Sequence, residues 1–165
     1  MATQTPKKSN TAWYIAAVII IIIIVAAGVL AYVYTRPPST SSSSKGIPIT
    51  LYAGEVSSSE YGFGNSSSSI TSPGPSLTLK VGDNYTVTLH NVGTMGHNWA
   101  LVTQKNSSAP LAFANAQIAS GGSPVQPGNT GSITFTATQA GTYYYICQVD
   151  AHVTLGMWGR VTVTP

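Results

Sequence analysis

From residue 46 onward the chain alternates apolar and polar positions in short runs. In Tyr85–Asn91 the apolar Tyr85, Val87 and Leu89 point one way and Thr86, Thr88 and His90 the other. Near the end, Val161 and Val163 alternate with Arg160, Thr162 and Thr164. A period of two is the pleat of a strand with one buried face. Strand signals recur at Ile47–Val56, Leu77–Val81, Tyr85–Asn91, His97–Val102, Gly131–Thr138, Thr142–Cys147 and Gly159–Val163, bounded by Gly, Pro, Asn and Ser. Short strands of this kind without an internal repeat predict an all-β fold, a two-sheet Greek-key β-sandwich. Ser57–Gly74 reads as a long surface insertion. Leu111–Ala119, rich in Ala, Leu and Gln, reads as a short helix in a connection.

The N-terminal part has a different pattern. Trp13–Tyr34 carries no charge over 22 residues, enough for a helix to cross a hydrocarbon core. Trp13 and Tyr14 at one end and Tyr32 and Tyr34 at the other are interface-seeking aromatics, and Lys7 and Lys8 precede the run while only Arg36 follows closely. That asymmetry places the N-terminus in the cytoplasm and the rest outside. The expected layout is a cytoplasmic N-terminus over 1–11, one N-terminal transmembrane helix over 12–35, a Pro/Ser-rich linker over 36–45 and a folded domain over 46–165. The protein is thus expected in the cell membrane as a single-pass protein, with its domain extracellular. A cleaved signal peptide is the rival reading, with a shorter apolar region and a small-residue cleavage site.

Charge narrows the function. Charged residues are 7% of the chain, against about 25% in ordinary soluble proteins. The formal net charge of +3 comes from Lys7, Lys8 and Arg36, since basic and acidic residues balance from Lys45 onward. No basic patch for nucleic acid follows. The few carboxylates are scattered, so no acid/base pair competes, and no Gly-rich loop precedes a helix in a phosphate-binding pattern. An enzyme is not expected. The lone cysteine, Cys147, excludes an intrachain disulfide and a binuclear copper centre with two thiolates. Asn65, Asn84 and Asn106 begin sequons, which arise readily in a Ser-rich chain.

The chemistry gathers in one loop. Cys147, His152 and Met157 follow one another in a C-x4-H-x4-M spacing between two strand signals. A thiolate, an imidazole and a thioether together suit a borderline-soft metal. Two imidazoles and one thiolate with a weak axial thioether make a blue-copper electron-transfer site. One more imidazole is then required, from His90 or His97. His90 falls in phase with Thr86 and Thr88 on the solvent side of its strand, while His97 starts a strand after a Gly-containing turn. His97 therefore completes the expected set of His97, Cys147, His152 and Met157 around one Cu ion cycling between Cu(I) and Cu(II). A structural zinc site would take more Cys or His and no Met.

On the Gly-His-Asn triplet at 96–98, the Tyr-Tyr-Tyr-Ile-Cys strand at 143–147 and the C-x4-H-x4-M loop, the chain resembles the cupredoxins over roughly 47–165. Its apolar N-terminal run, Ser/Thr-rich linker and long insertion are most similar to the sulfocyanin family, blue copper proteins of acidophilic archaea. The resemblance implies a cupredoxin-like sandwich, with His97, Cys147 and His152 equatorial to copper and Met157 axial. It implies that Gly96 places its carbonyl near the opposite axial position and that Asn98 braces the Cys147 loop. It also implies that His152 reaches the surface in an apolar patch beside Val153, Leu155, Gly156 and Met157. Trp99, Phe113, Tyr143, Tyr145 and Trp158 are the candidates for a hydrophobic surround. The implied partners are redox proteins of a respiratory chain, a cytochrome-bc-like donor and a haem–copper terminal oxidase as acceptor, met by a monomeric domain. An extracytoplasmic copper carrier or sensor is the alternative, and a surface domain without metal a third.

Overall fold

The structure is a computed structural model that describes residues 46–165. The expected anchor over 12–35, its flanking N-terminus and the linker over 36–45 lie outside the described residues. Among the described residues ten strands follow one another: β1 (Ile47–Ser57), β2 (Glu60–Gly64), β3 (Ile70–Thr71), β4 (Leu77–Lys80), β5 (Asn84–Asn91), β6 (Trp99–Val102), β7 (Gln117–Ile118), β8 (Thr130–Thr136), β9 (Gly141–Ile146) and β10 (Trp158–Thr164). They form two five-stranded sheets, in the orders β3-β2-β1-β5-β8 and β4-β10-β9-β6-β7.

The period-two pattern selects the inner faces. Along β5 and β10 alternate residues are buried, with Tyr85, Val87 and Leu89 from one sheet facing Val161 and Val163 from the other. Leu51, Ala53 and Phe63 join the first set, and Leu79, Trp99, Leu101 and Tyr145 the second, in one continuous core. The parallel pairing of β1 with β5, from Ile47↔Tyr85 to Ala53↔Asn91, keeps both inner rows in register. β6 departs from alternation and is buried throughout. Its outward Ala100 and Val102 pack with Ile146, Ala109 and Val153 in a smaller second cluster. The connection after β6 covers them, held by Ala112 N–H to Leu101 O and Thr103 N–H to Pro110 O.

Two expectations are corrected. The stretch 57–74 is not a surface insertion throughout, because β2 pairs antiparallel with β1, and β3 with β2. Phe63 is the reason: it is wholly buried and meets Tyr145 edge-on, ring centroids 5.1 Å apart. The stretch 111–119 is not helical. Leu111 bridges to Val102 and β7 pairs with β6, while Asn115 takes φ = 61°. That left-handed backbone interrupts an α-helix, and burial of Phe113, Ala116 and Ile118 against the sandwich outweighs helix propensity.

Leu89 is fully buried at the middle of this core. Leu89→Ala should lower unfolding free energy by about 2–5 kcal/mol, read as a lower urea midpoint at unchanged slope.

Candidate metal centre

β9 ends at Ile146 and β10 begins at Trp158, so residues 147–157 form the loop between antiparallel neighbours. The loop closes on itself. Cys147 N–H donates to Met157 O at 3.1 Å, and Met157 N–H to His152 O at 2.9 Å. A tight turn lies between, with His152 N–H bonded to Val149 O and Leu155 N–H to Ala151 O, both at 3.0 Å. Gly156 turns the chain back with φ = 95°, and a side chain there would strike Ser72. These bonds put Cys147, His152 and Met157 at one place although four residues separate each from the next.

His97 arrives from the other direction, at the end of a turn after β5. It is fixed by a two-bond bridge to Val125, His97 N–H to Val125 O at 3.1 Å and Val125 N–H to His97 O at 2.8 Å. The buried Asn91 amide spans the turn, donating to Met95 O at 2.7 Å and Val125 O at 2.8 Å. A side chain at Gly96 would press on Pro124 Cγ at 2.6 Å, so the turn requires a glycine.

The structure brings His97, Cys147 and His152 together, all buried, with ligand atoms within 4.8 Å of one another. His97 Nδ1 and His152 Nδ1 are 3.3 Å apart, and Cys147 Sγ is 4.0 Å and 3.5 Å from them. A point about 2.1 Å from all three atoms lies in their plane, close to the metal–nitrogen distance of such ligands and slightly short for sulfur. Met157 is fully buried beside them in the core cluster that also holds Cys147. A thiol, two imidazoles facing each other through the same ring nitrogen and an adjacent thioether fit a copper ion of the electron-transfer type. His90 lies elsewhere. It stacks on Tyr52 across the pair β1·β5, centroids 5.0 Å apart, and its Nδ1 meets Thr130 Oγ1 at 2.9 Å.

Asn98 ties the two arms of the site. Its Oδ1 accepts Gln148 N–H at 2.6 Å, its Nδ2 donates to Gln148 Oε1 at 3.0 Å, and its backbone N–H points at Cys147 Sγ from 3.4 Å. Burial pushes the Cys147 thiol up to about 11, against the opposing N–H contact from Asn98. Burial pushes His97 down to about 4, helped by the neighbouring His152 and opposed by Glu55. His152 is lowered as well, by burial, with Asp150 and Glu55 opposing.

Two residues shape the site without a signal in the spacing. Glu55, at the end of β1, has one carboxylate oxygen 3.9 Å from His97 Nε2, a buried atom with no hydrogen-bond partner among the described residues. The same carboxylate accepts the N–H groups of Thr94 and Met95 and the Thr94 hydroxyl. Burial alone would raise its pKa, and those donors hold it below the ordinary carboxylate value. Tyr61 on β2 stacks on His152, centroids 4.0 Å apart and planes at 21°. Strand alternation in Tyr61-Gly-Phe63 was the signal available, hidden by the serines around it.

Two expectations about the surroundings are corrected. His152 does not open to the surface, being only 3% exposed, because Tyr61 lies on it. Trp158 does not pack into the main core beside the site. It leads into the other face of its sheet, against Tyr144 and under Lys105 Nζ at 4.1 Å from the ring centre. Trp99, Phe113 and Tyr145 do belong to the main core.

A family model described as copper binding proteins, plastocyanin/azurin family, matches residues 66–164. Auracyanin-A of Chloroflexus aurantiacus is 37% identical over 105 residues, which cover 53% of this chain and 63% of that protein. Rusticyanin of Acidithiobacillus ferrooxidans is 33% identical over 93 residues, covering 54% of this chain and 50% of that one. The chain therefore spans less than two thirds of the length of either relative. Among solved structures, auracyanin B superposes with a TM-score of 0.50 at 22% identity, covering 72% of this chain and 88% of that one. The multicopper oxidase mgLAC superposes with a TM-score of 0.52 at 24% identity, covering 72% and 38%. Both share the cupredoxin-like sandwich.

Two outcomes follow for the site. Asn98→Ala removes both side-chain bonds to Gln148 and should cost about 1–3 kcal/mol in the metal-free protein, measured by denaturant unfolding. The metal-free protein should also lose stability as pH falls. His97 binds a proton less readily folded than unfolded, so its contribution is complete above its ordinary value of 6.5 and declines down to about 4. The loss through that window should be on the order of 3 kcal/mol. Glu55 adds a further loss below 4.5, as its hydrogen-bonded carboxylate protonates. Unfolding curves at a series of pH values between 8 and 3 should show both.

Proposed function

The chain belongs to the plastocyanin/azurin family of copper-binding proteins, and from that premise we propose that it carries single electrons on one copper ion held by His97, Cys147, His152 and Met157. The observation that carries this reading is the closure of the site. All four side chains are buried, and aromatic and aliphatic groups surround them. A copper enzyme must leave a coordination position that substrate can reach, and a copper carrier must let the metal in and out through an accessible ligand. An electron needs neither, because it crosses a few ångströms of packed protein without a bond being made.

Copper supplies a reversible one-electron couple. The residues do the rest. Cys147 must give up its proton to bind, against a pKa of about 11 without metal, so copper uptake releases that proton. The imidazoles are already neutral at neutral pH, because burial lowers both. The Asn98 N–H at Sγ and the Asn98–Gln148 pair hold the sulfur in place, and such contacts outside the ligand set orient ligands and tune the metal. The thioether of Met157 in an apolar surround favours the reduced ion.

The wider setting is also a proposal. The uncharged run over 13–34 and the Pro/Ser-rich stretch after it support a protein tethered to the cell membrane with its copper domain outside. Together with the loop spacing, that layout supports a sulfocyanin-type member of the family. By that resemblance it would serve a respiratory chain between a cytochrome-bc-like donor and a haem–copper terminal oxidase.

Copper-loaded protein should show an intense absorption band toward the red end of the visible spectrum, from thiolate-to-copper charge transfer, bleached by ascorbate and restored by a mild oxidant. Cys147→Ser should bind copper more weakly and lack the band. Full copper loading of the unaltered protein without the band would reject the electron-carrier reading.

A further inference from the structure

β2 reaches the metal loop through one residue. Tyr61 N–H donates to Leu155 O at 3.1 Å, which ties its backbone to the loop that carries His152. Its ring then lies flat on the His152 imidazole at 4.0 Å and meets His97 edge-on at 5.9 Å. Its hydroxyl points to Met95 Sδ at 4.0 Å. The sheet holds the strand from behind: Glu55 pairs with Tyr61, Ala53 with Phe63, and Phe63 is locked in the core. Tyr61 is half-buried and so keeps surface of its own, whereas His152 keeps almost none.

These contacts decide the way out of the site. An electron that leaves through the His152 imidazole finds that ring covered, and the next conjugated system outward is the Tyr61 ring in van der Waals contact with it. Offset-stacked aromatic faces are a favourable arrangement in themselves, by about 0.5–1.5 kcal/mol, so the cover also restrains the imidazole from swinging out. The geometry points to Tyr61 as the residue through which electrons enter and leave the copper, and as the positioning residue that keeps His152 in its ligating orientation. The step moves one electron from Cu(I) to an external one-electron oxidant. No bond forms or breaks, and Tyr61 is not itself oxidised. This inference rests on the electron-carrier reading above.

The test uses the full chain in detergent, with hexacyanoferrate(III) as oxidant in stopped flow and diethylpyrocarbonate as a histidine probe. Tyr61→Phe keeps the ring and should keep both the visible band and the oxidation rate. Tyr61→Leu and Tyr61→Met replace the ring by saturated chains of comparable reach. In whichever variant retains the band, oxidation should slow several-fold, and equal or faster oxidation would overturn the conduction role. A band lost in these variants but kept in Tyr61→Phe would support the positioning role directly. The copper-free protein provides a separate reading. Peptide mass spectrometry should find His152 protected from diethylpyrocarbonate while His90 reacts, and His152 should become reactive in Tyr61→Ala. A wild-type His152 as reactive as His90 would overturn the cover itself. Copper-loaded wild type without the band would instead reject the carrier reading and the conduction role with it, while the probe result on the metal-free protein stood unchanged.

Discussion

His97 Nδ1 and His152 Nδ1 face each other at 3.3 Å beside the Cys147 sulfur, in a place that water scarcely reaches. Such a gathering has a cost, because burying polar atoms costs free energy wherever a partner is missing, as it is for His97 Nε2 among the described residues. Something must hold it against collapse, and the sandwich does so from two sides. His97 hangs on the Val125 bridge and the Asn91 amide, both anchored where β5 ends. Cys147 and Met157 hang on the ends of β9 and β10, which are hydrogen-bonded neighbours. The Asn98–Gln148 pair then joins the two halves beside Cys147. The geometry is thus set by the polypeptide, and a metal that enters meets ligands already near their places. On the proposed carrier reading, such a site would move little between oxidation states, which is what electron exchange needs.

The same constraint explains why the edge of the first sheet wraps the site. A buried imidazole needs cover as well as support. β1 sends Glu55 under the turn before His97, where three donors from Thr94 and Met95 fix the carboxylate. β2 sends Tyr61 over His152. Tyr61 comes from the segment expected to be a surface insertion, Glu55 from the strand just before it, and both act on imidazoles rather than on the thiolate. The Cys147 side is closed by the main core, through Tyr145, Trp99 and their neighbours.

The sandwich was legible because alternation is a local property. β5 and β10 can be read from seven or eight residues each, and the phase of β5 alone sends His90 away from the side that Tyr85, Val87 and Leu89 share. The spacing of Cys147, His152 and Met157 was legible for a different reason. Few residue types ligate a soft metal, and this chain has one cysteine and three histidines. The cover was not legible. Tyr61 sits in a strand of five residues amid serines and glycines, and nothing local says that Phe63 will anchor that strand to Tyr145 from the opposite sheet. Leu111–Ala119 failed for the complementary reason: its helix propensity is local, while the burial of Phe113 and Ile118 that overrides it is not.

Scarcity of charge bears on how such a domain meets a partner. Over 46–165 only Glu55, Glu60, Asp83, Asp150, Lys80, Lys105 and Arg160 are charged, and Glu55 is engaged with the turn before His97. Long-range steering depends on summed charge and weakens with salt, so an exterior this neutral offers little of it. What surrounds the covered imidazole instead is Tyr61 with Met95 and Leu155, the last two exposed apolar side chains. Contacts of that kind are short-ranged and do not depend on summed charge. On the proposed carrier reading, a redox partner would meet the copper end through such contacts, with little dependence on ionic strength.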